Sequence, residues 1–71
     1  MNKQDAQTIV SKLSKSCNIP EKNLVLKKQS KTKYEIQIGK NLQENEWLCL
    51  EEIVSDHTLR LKLHENLIVI Y

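Results

Sequence analysis

Residues 22–33, KNLVLKKQSKTK, carry Lys22, Lys27, Lys28, Lys31 and Lys33 and no acidic side chain. Ammonium groups spaced this closely can neutralise consecutive phosphates. Binding of that kind is driven by counterion release, so it depends strongly on salt and carries little sequence preference. Base-edge reading is not expected, because the chain has one arginine, Arg60, and arginine makes most such contacts. Stacking of unpaired bases needs an accessible aromatic. Tyr34 is the nearest, and the alternation around it turns it inward. The plainer role of the five lysines is a charged strand edge that discourages sheet-to-sheet association.

The remaining reactive residues point away from catalysis. Cys17 and Cys49 are the only thiols, and His57 and His64 the only imidazoles. Structural zinc sites bring ligands in close pairs such as C-x2-C or H-x3-H, and neither the two cysteines nor the two histidines are spaced that way, so no metal site is expected. With Gly39 as the single glycine, a phosphate-cradling glycine loop is not available. Glu51 and Glu52 are adjacent, and neighbouring helical residues do not converge on one point as an acid/base pair must. Cys17 falls on an apolar stripe and reads as a small buried hydrophobe. Both cysteines are expected as reduced thiols of a cytoplasmic protein, with a single disulfide as the alternative. The two histidines read as exposed turn residues.

Charge is divided along the chain. Residues 21–40 hold six lysines against Glu21 and Glu35, whereas residues 41–56 hold Glu44, Glu46, Glu51, Glu52 and Asp56 with no lysine or arginine. Such asymmetry suits a charged partner or head-to-tail self-association, unless the two signs meet across the fold and cancel. Trp47 opens the acidic part. It could anchor an interface, as tryptophan often does, or serve as the main core aromatic of a chain without phenylalanine.

The elements that must hold these residues are legible from periodicity. Ala6, Ile9, Val10, Leu13 and Cys17 form one stripe at helical spacing over residues 3–17. Asn2 suits its N-cap, and Asn18 and Pro20 stop it. Leu24 and Leu26, then Tyr34, Ile36 and Ile38, alternate with polar residues as a β-hairpin over 24–28 and 33–38. No glycine lies in the link 29–32, which implies a longer loop than a two-residue primed turn. Leu59, Leu61 and Leu63 alternate with Arg60 and Lys62, and LIVIY follows a turn at His64–Asn66 as the second hairpin. The last strand is apolar on both faces, so it is expected to be central and covered on both sides by a second helix or another subunit. For residues 41–56 a helix is expected, capped by Asn41 with Glu44 and striped by Trp47, Leu50, Ile53 and Val54.

The sequence therefore predicts one α+β domain over residues 1–71, a two-layer α-β-β-α-β-β arrangement of two αββ units. The alternative is one helix followed by a five-stranded meander or barrel. No run approaches the length of a membrane span, and the polar opening MNKQDAQTIV lacks the apolar stretch of a secretion signal. The expected function is a small, non-enzymatic, cytoplasmic protein-interaction module (an adaptor, inhibitor or regulator) acting as a homodimer through a sheet face or edge and the acidic segment. Trp47, Glu51, Glu52, Ile68 and Ile70 are its candidate interface residues. The alternative is non-specific nucleic-acid binding by Lys22, Lys27, Lys28, Lys31 and Lys33. No cofactor, metal, membrane or small-molecule substrate is expected.

Overall fold

Asn2 opens the first helix as expected, its side-chain oxygen accepting a 2.7 Å hydrogen bond from the Asp5 N–H. The computed structural model describes all 71 residues, and this helix, α1, spans Lys3–Ser16. It ends where Asn18 takes a left-handed conformation, which asparagine tolerates, and Ile19 donates back to the Leu13 carbonyl. A 3-10 turn over Glu21–Asn23 leads into strand β1, Leu24–Lys28, and a loop through residues 29–33 returns the chain as β2, Tyr34–Ile38. Helix α2, Glu44–Asp56, then precedes β3, Leu61–His64, and β4, Leu67–Ile70.

The order is α-β-β-α-β-β, and four antiparallel strands form one sheet ordered β1-β2-β4-β3. Each helix is followed by its own hairpin, and the second strands of the two hairpins meet in the middle. Ile36 pairs with Ile70, and Ile38 with Ile68. The fold is thus two αββ units joined along β2 and β4. The meander alternative does not form, because the acidic stretch is helical.

The second helix begins later than the sequence suggests. Its N-cap is Gln43 rather than Asn41, and the reciprocal acid is Glu46 rather than Glu44. The reason is local. Leu42 stays outside the helix and packs against the core, while Glu46 Oε1 accepts the Gln43 N–H at 2.8 Å and Oε2 meets Lys40 Nζ at 3.0 Å. The Gln43 N–H bond first, and the Lys40 ammonium second, hold the Glu46 carboxyl below its ordinary value near 4.5. A carboxylate with a depressed folded-state pKa stabilises the fold above its unfolded value and loses that contribution as pH falls through its folded value. Glu46→Gln should therefore lower the urea midpoint at neutral pH, and the gap to the native protein should close as pH drops below the ordinary glutamate range. An equal gap at both pH values would contradict this role.

Both helices cover one face of the sheet. Ala6, Ile9, Leu13, Leu50 and Val54 from the helices join Leu24, Ile36, Ile38, Ile68 and Ile70 from the strands in one buried cluster. Cys17, directly after α1, is disulfide-bonded to Cys49 of α2. This corrects the expectation of reduced thiols. The two positions lie 32 residues apart and are brought together only by helix–helix packing, which spacing cannot reveal. The last strand is central as expected, but only its Ile68 and Ile70 side lies under the helices. Val69 faces the other side between Gln37 and Lys62 and is 2% exposed. No element of the chain crosses that face, and no helix is long and apolar enough to cross a membrane.

Candidate functional site

The uncovered sheet face is built by strand parity. Across its middle run Val25, Gln37, Val69 and Lys62, one from each strand. One step toward the β1–β2 loop, Lys27 stands opposite Glu35. Beyond β4, Tyr71 and Arg60 exchange backbone hydrogen bonds of 2.8 and 2.9 Å, extending the β3–β4 ladder at that same end. Side chains two apart share a face, so Arg60 and Lys62 join Lys27 and Tyr71 on the open side. Lys62 Nζ sits 4.9 Å from the centroid of the Tyr71 ring, a cation–π contact.

The β1–β2 loop adds to this end. Gln29 and Ser30 both donate to the Lys33 carbonyl, which folds the loop back with Lys31 and Lys33 exposed on it, while Lys28, the last residue of β1, is exposed at the same end on the side of Leu24 and Leu26. Gln29, Lys33, Glu35, Lys62 and Tyr71 share one shallow groove, so loop and open face form a continuous surface. Lys27, Lys28, Lys31, Lys33, Arg60 and Lys62 are all exposed. Glu35 is the acid among them, and it accepts from Gln37 at 3.3 Å.

None of these six cations is ion-paired. The molecule has one salt bridge, Lys40–Glu46, which joins the basic and acidic stretches where they adjoin in sequence, so the two signs pair at that point alone. Lys22 does not belong to this cluster. It lies at the opposite end of β1 from the loop, beside Asn23, whose carbonyl accepts from the Gly39 N–H; from Asn23 to Lys28 the extended chain alone spans roughly 16 Å.

The candidate protein-interface residues divide. Glu51 and Glu52 are exposed on the outer side of α2 with Glu44. Leu48 stands among them, 63% exposed. Trp47 is half-buried against the core and lines a groove with Leu42 and Leu63, which is itself exposed at the β3 edge. Ile68 and Ile70 are core residues, 4% and 0% exposed under the helices, and present no surface to a partner. Their parity with Ile36 and Ile38 explains this, but it depends on a β2–β4 pairing that no local pattern in the sequence encodes.

Sequence reasoning missed Arg60, Lys62, Tyr71 and Leu48 as surface features. The alternation in LRLKLH contained the signal for the first two, since the residues between the inward leucines must point outward. The other reactive groups are spoken for. Neither cysteine is a free thiol. His57 caps the end of α2, with Lys12 Nζ 2.9 Å from its Nε2, and His64 is the exposed last residue of β3 rather than part of the turn. No three His, Cys, Asp or Glu side chains gather at metal-binding distance. Comparison of the chain with protein-family models, with characterised proteins and with solved structures finds no match.

Proposed function

We propose that this protein is a non-enzymatic binding module whose basic sheet end grips the phosphate backbone of a nucleic acid. The observation that carries the reading is the gathering of six exposed, unpaired cations from β1, its loop and β3 at one end of the molecule. Lysine and arginine side chains that neutralise phosphates release the cations condensed on the nucleic acid, and that release is the source of affinity. The two discounts made from the sequence are both reduced. Arg60 stands beside the lysines, and Tyr71 adds an accessible aromatic to the half-buried Tyr34, which lines the same groove. The test is fluorescence anisotropy with labelled oligonucleotides at low salt. Binding that is indifferent to sequence supports the reading, and its absence overturns it.

A second reading keeps the interaction module expected from the sequence. Leu48 exposed among Glu44, Glu51 and Glu52 resembles the centre of a docking surface for a basic partner, with a second copy of this chain as the nearest source of complementary charge. On this reading the homodimer forms through α2 and the basic end. Sedimentation at low salt should give a dimer that Leu48→Lys together with Glu51→Lys disperses; a monomer at every concentration would remove the self-partner.

Bridged cysteines persist in oxidising compartments and, inside cells, chiefly in disulfide-rich hyperthermophiles. The cytoplasmic setting expected from the sequence is retained in this proposal only for a host of the second kind.

A further inference from the structure

We infer that the nucleic acid is single-stranded, and that Tyr71 on the open sheet face stacks one of its unpaired bases. This rests on the phosphate-binding reading above and goes further, because it assigns a strandedness and a base contact. Phosphate contacts alone do not distinguish a duplex from a single strand. The open face adds what a duplex cannot use. Tyr71 is 41% exposed on a face that no helix covers. Arg60 is its backbone partner, and Lys62 lies over its ring. Lys27 stands on the same face two strands away, beyond Glu35 of β2, so a chain stacked at Tyr71 passes cations on both sides.

The Lys62 ammonium occupies the ring face in the free protein, and the magnitudes decide whether a base can replace it. An exposed cation–π contact is worth about two- to fivefold in an equilibrium. Stacking a base on an aromatic side chain is worth about five- to 150-fold. The exchange therefore favours the base, and the displaced Lys62 ammonium is left beside the sugar–phosphate chain, free to make its phosphate contact among the six. Paired bases in a duplex are already stacked on their neighbours and cannot reach the ring without being flipped out. The contact is sequence-tolerant, since every base has a π-face, and this suits a chain with one arginine.

The experiment compares three ligands of equal phosphate number in anisotropy titrations at low salt: an oligothymidine, the same length of abasic deoxyribose-phosphate chain, and a duplex. The oligothymidine should bind about five- to 150-fold more tightly than the abasic chain. Tyr71→Ala should bring the oligothymidine down to the abasic level without changing duplex binding, and Tyr71→Phe should restore the difference. Equal binding of the oligothymidine and abasic chains, unchanged in Tyr71→Ala, would overturn the stacking inference while leaving phosphate binding in place. No binding of any of the three would overturn both. Tyr71→Ala can be checked for folding by its far-UV spectrum, and the abasic comparison on the native protein does not depend on that variant at all.

Discussion

Replacing both bridged residues, Cys17→Ala with Cys49→Ala, should lower the midpoint of thermal unfolding by roughly 15–30 °C for a domain of this size. The bridge closes a loop across a sequence separation of 32 residues. Restricting an unfolded chain over that separation is worth about 3.5–4 kcal/mol in the loop-entropy account. A domain of this length is stable by only about 4–10 kcal/mol in total, because a chain so short buries a small core. Losing the bridge therefore removes a third or more of the stability, whereas the single salt bridge, Lys40–Glu46, is a minor contributor. The position of the bond makes the effect cooperative. Cys17 is at the end of α1 and Cys49 in the middle of α2, so the bond fixes the two helices to each other. Calorimetry with and without a reductant measures it. The native protein should melt lower when reduced, and the double alanine variant should not respond. A native protein indifferent to reductant would mean that the bridge does not form.

The second large effect concerns binding. Lys27→Gln, Lys28→Gln, Lys31→Gln and Lys33→Gln together should weaken oligonucleotide binding at about 50 mM salt by roughly several thousandfold. Each phosphate neutralised on a single strand contributes about 0.7 to the log–log salt slope, or close to one decade of affinity at that salt concentration. Four contacts removed from six leave Arg60 and Lys62, and the slope should flatten from about −4 to about −1.4. Fold stability should hardly change, because all four side chains are exposed and none is ion-paired. That contrast separates a binding role from a protective strand edge. Lysines that only guard an edge against aggregation would leave oligonucleotide affinity untouched and reduce solubility when replaced.

What the sequence revealed and what it hid follow one physical line. Helix α1 and the first hairpin are legible because their signals are local. The stripe from Ala6 to Cys17 and the alternation of Tyr34, Ile36 and Ile38 each fall within one element. The second helix is legible in kind but not in start, because Leu42 is drawn to the core and Glu46 reaches back to Gln43. The features that were missed all depend on pairings between distant elements. Antiparallel contact of β2 with β4 places Ile68 and Ile70 in the core rather than at an interface. Approach of α1 to α2 joins Cys17 to Cys49. The β3–β4 ladder brings Arg60, Lys62 and Tyr71 to the end of the sheet that the lysine loop occupies. The basic surface was thus half visible: four of its lysines lie in one run of sequence, while Arg60 and Lys62 arrive from the far end of the chain and Lys22 drops out.

The central claim is that this end of the sheet holds phosphates, and the salt dependence of oligonucleotide binding tests it most directly. Anisotropy of a labelled single strand would be followed from about 50 to 200 mM salt. With six contacts, affinity should fall by up to roughly 300-fold across that range. Affinity that does not change with salt, or no binding at the lower concentration, would contradict the claim and leave the exposed Leu48 face of α2 as the surface to pursue.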